Sequence, residues 1–216
     1  GENGAGKSTF IKVLSGAHPQ SDGELLMDGK PVSLSSPQDA ADLGIATIFQ
    51  ELALSENLSI AENVFLGREL THRFLGVPLL RRAAMKRRVK ELLEELDAHI
   101  SDPEAPVGAL SGGQRQAVAI CRALNLNARL VIMDEPTAAL AVAETRKVLQ
   151  LTRRLADSGR AVVLISHNMH DVFEVADRIH IHRLGKRLCV INPKEHTMSD
   201  AVAYMTGARV PEGIAA

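Results

Sequence analysis

The chain opens GENGAGKSTF, and the spacing Gly1, then Gly6-Lys7-Ser8, constrains it more than any other feature of its 216 residues. It fits glycine, four residues, glycine, lysine, and serine or threonine. Glycines tolerate positive φ and let a backbone approach an anion closely, so such a loop can turn its N–H groups inward on phosphates. Lys7 would reach the β and γ phosphates, and Ser8 would offer its hydroxyl to Mg²⁺. The helix that begins near Lys7 would point its positive end at the same charge. Alone, the stretch also fits a glycine-rich turn before an ordinary helix.

The rest of the chain decides which. Helical periodicity runs from Lys7 to about Ser15, and GELLMDGKPV (Gly23 to Val32) reads as two short strands around an Asp-Gly turn. GIATIF (Gly44 to Phe49) is a buried strand. From Leu52 to about Asn127 the pattern predicts helix upon helix, interrupted by a loop at SDPEAPVGA. Strands return at RLVIMD (Arg129 to Asp134) and AVVLIS (Ala161 to Ser166), with a helix over TRKVLQLTRRLADSG between them. A strand, helix, strand series of branched runs implies parallel strands covered by helices. RIHIHRLGKRLCVI reads as a hairpin, followed by a short helix near Ser199 to Met205.

A formal net charge of -1 gives the protein no overall field toward nucleic acid or an anionic surface. The helix over RRAAMKRRVKELLEELDAHI places Met85, Val89, Leu92, Leu93 and Leu96 on one stripe, so its charges lie on the solvated face. Its bases lead and its acids follow, against the helix dipole, which pairs such as Arg87 with Glu91 offset only in part. Aromatics make up 3% of residues and none interleaves these bases, so nucleic acid is not an expected partner. Cys121 and Cys189 are the only cysteines, too few for a disulfide framework, and read as small buried apolar residues in a reducing compartment.

RLVIMDEP sets Asp134 and Glu135 at the end of an apolar strand, where open α/β sheets place their ligands. Asp134 would hold Mg²⁺, and Glu135 would orient and deprotonate water for attack on the γ-phosphate. A polar strand end entering a turn at Pro136 is the plainer alternative for these two residues alone. His180 and His182 share one strand face, but no third metal ligand is evident and both are read as structural.

The most specific segment is ALSGGQRQAVAICRAL. With Leu110, Ser111, Gly112, Gly113 and Gln114 standing between the first loop and the acidic strand, the sequence resembles the ATP-binding subunits of ABC transporters, over essentially its whole length. The resemblance implies an α/β fold, a P-loop NTPase core with a mostly parallel sheet plus an inserted helical subdomain. The core would span 1–51 and 128–216, and the subdomain about 52–127.

The family likeness carries residue roles as well. ATP and Mg²⁺ are the implied ligands, with Gly1, Asn3, Gly4, Ala5, Gly6, Lys7, Ser8 and Thr9 around the phosphates. Ser111, Gly112, Gly113 and Gln114 would cap the γ-phosphate held by a second, head-to-tail nucleotide domain, so that ATP closes a dimer, here expected to be of identical chains. Gln50 matches the glutamine that senses Mg²⁺ and the γ-phosphate, and His167 the switch histidine. Ser8, Gln50 and Asp134 are thus the metal set, and Glu135, His167 and Gln50 the catalytic one. After EPTAAL, where the family often has an aspartate that helps align the opposing site, this chain has Ala141.

KVLSGAHPQSDGELLMDGKPV and ELALSENLSIAENVFLGRE look like the carbohydrate-uptake branch, and the ending RIHIHRLGKRLCVINP through TMSDAVAYMTGA most like single-domain fructose-type import ATPases. That branch implies a transmembrane sugar permease as partner, docking near Leu52 to Gly67, and indirectly a periplasmic sugar-binding protein. It also implies a peripheral position on the cytoplasmic side of the bacterial inner membrane. Family members acting on DNA need a long coiled coil between Gln50 and Ser111, yet only 60 residues separate them here. A phosphate loop also needs a strand leading into it and the family an upstream aromatic for adenine. Neither stands before Gly1, so the sequence is expected to be an N-terminally truncated cassette.

Overall fold

Branched apolar runs as short as LVIM and AVVL are stable only side by side, with helices covering their faces. The computed structural model, which describes residues 1, 4–74 and 77–209, has that arrangement. In chain order it begins with α1 (Lys7–Leu14), β1 (Leu25–Met27), β2 (Lys30–Val32), α2 (Pro37–Asp42) and β3 (Ile45–Ile48). Then come α3 (Ile60–Phe65), β4 (Thr71–Phe74), β5 (Val77–Leu80), α4 (Arg82–Glu95) and α5 (Gly112–Asn125). β6 (Leu130–Asp134), α6 (Val142–Asp157), β7 (Ala161–Ile165), α7 (Met169–Val175), β8 (Ile179–Arg183), β9 (Lys186–Ile191) and α8 (Met198–Thr206) complete it. The chain divides into two compact units, 1–45 with 164–216, and 46–163.

In the first unit, β1 and β2 pair antiparallel around Asp28-Gly29, both at positive φ (52° and 74°), the primed turn that matches strand twist. α2 starts on a reciprocal cap: the Ser36 hydroxyl accepts from the Asp39 N–H, and the Asp39 carboxylate accepts from the Ser36 N–H. Those bonds hold the Asp39 carboxyl below its usual pKa, the Ser35 N–H contributing most. β8 and β9 form the second hairpin, turning at Leu184-Gly185. Val172, Ile179, Ile181, Ile191, Ala201 and Tyr204 form one core cluster of this unit. Tyr204, the chain's single tyrosine, is thus a packing residue.

In the second unit β6 is the middle strand of a parallel sheet ordered β3-β6-β7, and Val131, Ile132 and Met133 are fully buried. Helices α3, α4, α5 and α6 pack on one another. The predicted stripe of Met85, Val89, Leu92, Leu93 and Leu96 lies entirely in that packing. The bases at the start of α4 find acids outside the helix, Arg82 with Glu62 at 3.7 Å and Lys86 with Glu104. This is how a helix with no acid in its first turn tolerates its own dipole. Glu91, expected to face Arg87, pairs with Arg88 at 3.3 Å.

One expectation fails. The stretch from Leu52 to Asn127 is not helical throughout, because THRF and VPLL form the antiparallel hairpin β4–β5. Thr71, Phe74 and Val77 favour extended backbone, and Pro78 cannot sit inside a helix, since it lacks an N–H and clashes with the preceding turn.

Candidate nucleotide site

The glycines of the opening loop do what their spacing requires. Gly4 and Gly6 take φ of 80° and 92°, values that residues with a Cβ rarely adopt. Gly6 is the N-cap of α1 and supplies no side chain to it, so the helix's first N–H groups face the loop. Lys7 folds back over the loop and donates from Nζ to the Gly1 carbonyl at 2.6 Å. The loop rests on the β8–β9 turn: the Gly185 N–H donates to the Ala5 carbonyl at 3.2 Å. A Cβ on Gly1 would collide with the His182 carbonyl. Ala5 is buried, while Ser8 and Thr9 are exposed on the first turn of α1. Asn3 lies outside the described residues.

His167 belongs to the same unit, two residues beyond β7 and exposed. Its neighbours fix the turn that carries it. The Ser166 hydroxyl accepts from the Asn168 N–H at 3.0 Å, and Asn168 caps α7 by accepting from the His170 N–H at 3.1 Å. His180 and His182 lie ring beside ring, centroids 4.8 Å apart and planes tilted by 49°, and Phe10 of α1 packs on His182 at 5.7 Å. Partial burial, and next the neighbouring His182 and Arg187, hold His180 below the usual imidazole pKa.

The remaining candidates stand in the second unit. Asp134 ends β6, and Glu135 follows it at φ 50°. A left-handed residue other than glycine costs about 1–2 kcal/mol, so the backbone carries local strain at Glu135. The Glu135 carbonyl accepts from the Ala138 N–H at 3.1 Å, which closes the turn. Gln50 lies two residues past the end of β3 and is exposed.

Ser111 is the N-cap of α5 in a reciprocal box. Its Oγ accepts from the Gln114 N–H at 3.4 Å, and Gln114 Oε1 accepts from the Ser111 N–H at 3.0 Å. The hydroxyl proton of Ser111 is therefore available to donate outward. Gly112 and Gly113 let α5 start directly against the Leu140–Glu144 stretch. A Cβ on Gly112 would have to displace a Leu140 methyl, and one on Gly113 would meet Glu144 at 3.4 Å. A cavity of about 450 Å³ opens beside them, lined in part by Ser111, Gly113, Gln114, Lys147 and Arg154.

One residue escaped the sequence reading. Arg122, in the last turn of α5, donates to the Leu52 carbonyl at 2.8 Å and the Ala53 carbonyl at 3.0 Å. It ties the segment just after Gln50 to the helix that begins with Gly112. Burial pulls its pKa down from the usual guanidinium value. The visible cue was a base at a helix C-terminus, which many helices carry and which does not announce a distant partner. Cys121 beside it is fully buried, its thiol pushed up to about 12 chiefly by that burial, and Cys189 is half-buried.

Residues 1–138, a span that includes the glycine loop, the capped glycine helix and the acidic strand end, match the family model described as ABC transporter. The chain belongs to the ABC transporter family. Among relatives of this cassette, the fructose import ATP-binding protein FrcA of Rhizobium meliloti is 54% identical, over 100% of this chain and 85% of its own length. The xylose/arabinose import ATP-binding protein XylG of Sulfolobus acidocaldarius is 46% identical, over 95% and 80%. The same fold recurs in a dimeric, post-hydrolysis structure of the ATP-binding cassette MJ0796 bound to ADP and Pi. There the TM-score is 0.70 and the identity 25%, over 89% of this chain and 82% of that one.

Proposed function

We propose that this ABC cassette hydrolyses ATP to energise import of a sugar through a transmembrane permease. The observation that carries the reading is the whole-chain likeness to a fructose import ATP-binding protein. The chemistry of these residues supports it. Backbone N–H groups freed by Gly4 and Gly6, the α1 N-terminus and Lys7 suit a triphosphate. Ser8, Gln50 and Asp134 offer hydroxyl, amide and carboxylate oxygens, the hard donors that Mg²⁺ takes when phosphates complete its shell. When bound, that ion would neutralise charge on the β and γ phosphates.

The chain's own residues supply the rest. Glu135 accepts the proton of the attacking water, and His167 and Gln50 contact the γ-phosphate from the ends of their strands. Ser111, Gly112, Gly113 and Gln114 donate to the γ-phosphate held by Gly1, Asn3, Gly4, Ala5, Gly6, Lys7, Ser8 and Thr9 of a second copy. The working form is then a dimer of nucleotide domains, each with a core of 1–51 and 128–216 and a helical subdomain of about 52–127. Among the described residues no helix is long and apolar enough to cross a membrane. The likeness to sugar import ATP-binding proteins supports a peripheral place on the cytoplasmic side of the bacterial inner membrane, with a periplasmic sugar-binding protein feeding the permease and no role for nucleic acid.

Phosphate release tests this. Glu135→Gln should keep ATP binding and lower turnover by about 10² to 10⁴, the scale of a general base. Turnover within a few-fold of wild type, with binding intact, would remove Glu135 from the role.

A further inference from the structure

The β4–β5 hairpin is the least covered apolar element of the second unit. Every described residue of both strands is exposed, Phe74 to 60% and Val77 to 57%. The register pairs His72 with Leu79 and Phe74 with Val77, and side chains alternate along each strand, so these four stand on one face. Between Arg68 and Arg82 the segment carries four arginines against Glu69 alone, in a chain whose net charge is -1. Arg82 pairs with Glu62, whereas Arg68, Arg73 and Arg81 have no ion pair among the described residues.

The ribbon's two edges differ. The Arg81 N–H donates to the Leu70 carbonyl at 2.7 Å, so pairs 70/81, 72/79 and 74/77 are the hydrogen-bonded ones and 71/80 and 73/78 alternate with them. Pro78 thus turns its ring nitrogen outward and closes the β5 edge, the usual way an edge strand is protected. The β4 edge is left open, with the backbone N–H and C=O groups of Thr71 and Arg73 pointing away from β5.

We propose that this hairpin is a docking ribbon for an extended, acidic and apolar cytoplasmic segment of the transmembrane partner, added as a strand along β4. The proposal rests on the importer reading above. Strand addition satisfies the open edge, alternate apolar side chains meet Phe74, Val77 and Leu79, and carboxylates meet Arg73 and Arg81. Lipid is the poorer occupant, because hydrocarbon offers nothing to the exposed backbone groups of Thr71 and Arg73. A second copy of the hairpin would oppose arginine to arginine.

The test places a photoreactive benzoylphenylalanine at Phe74 or Leu79 of the full-length protein in cells, with the cross-linked peptide sequenced. The expected product is a stretch of the permease rich in Asp or Glu and apolar residues. Arg73→Glu combined with Phe74→Ser should weaken capture of the detergent-solubilised permease about tenfold or more while permease-free phosphate release stays within about twofold. Cross-links to phospholipid, to a second copy or to nothing would overturn the proposal. So would sedimentation with phosphatidylethanolamine–phosphatidylglycerol vesicles that the double variant abolishes. Capture of the permease by the wild-type protein, and its effect on phosphate release, measured alongside, separate this failure from failure of the importer reading.

Discussion

Replacing Asn63 with alanine should be among the costliest single changes in the second unit. Its side chain is fully buried on α3 and clasps the preceding loop. Oδ1 accepts from the Ser55 N–H at 2.8 Å, and Nδ2 reaches the carbonyls of Ser55, Ser59 and Leu58 at 2.9, 3.0 and 3.3 Å. Two amide hydrogens can serve two of those carbonyls at full strength, so alanine removes about three hydrogen bonds, each worth about 1 kcal/mol net. The stranded Ser55 N–H adds a desolvation cost of about 1–3 kcal/mol, part of which water recovers because that loop is only half-buried. The expected loss is about 3–4 kcal/mol, on the order of 10² to 10³ in the opening equilibrium. Native-state hydrogen exchange at the Ser55 amide, with urea unfolding followed by far-ultraviolet circular dichroism, reads it. Asn63→Asp keeps the acceptor, loses both donors and sets a charge against three carbonyls. It should therefore cost at least as much at neutral pH and recover on acidification as the carboxyl protonates. A loss below about 1 kcal/mol for alanine in both assays would refute the accounting.

Three further outcomes follow from the same geometry. Arg122→Ala removes two charged hydrogen bonds to Leu52 and Ala53, and should speed exchange and proteolysis in the segment after Gln50 while leaving the first unit's exchange unchanged. Ala141 is an N-cap with extended backbone and no side-chain bond, so Ala141→Asp should stabilise α6 by about 0.5–2 kcal/mol in chemical denaturation; no gain would mean the first turn is already satisfied. His180 should titrate below 6.5 by NMR. Because the unfolded chain binds the proton more readily, stability should be fully present above pH 6.5 and fall as pH drops from there through the folded pKa; an unshifted titration would contradict this.

What could be read in the sequence was local. Phosphate loop, acidic strand end and capped glycine helix are each a contiguous run, and the fold around them follows from short branched strands and one long amphipathic stripe in α4. Several features leave no periodic mark in the sequence. Arg122 meets carbonyls 69 and 70 residues earlier. Asn63 looks like any polar helix residue until the loop folds over it. Glu135 gives no hint of its positive φ. α2 and α7, at six and seven residues, are too short for a helical period to register. The β4–β5 hairpin was missed because its apolar residues keep neither period and lie between arginine-rich ends that read as helix.

The central proposal is that ATP hydrolysis here is coupled to sugar movement. The most direct measurement reconstitutes the full-length protein with the permease and sugar-binding protein proposed for it in lipid vesicles, then follows phosphate release and uptake of labelled fructose, xylose and ribose together. One of these sugars should accelerate phosphate release and accumulate only when ATP is present on the cassette side. Phosphate release indifferent to the permease and to every sugar, or uptake that proceeds without ATP, would contradict it.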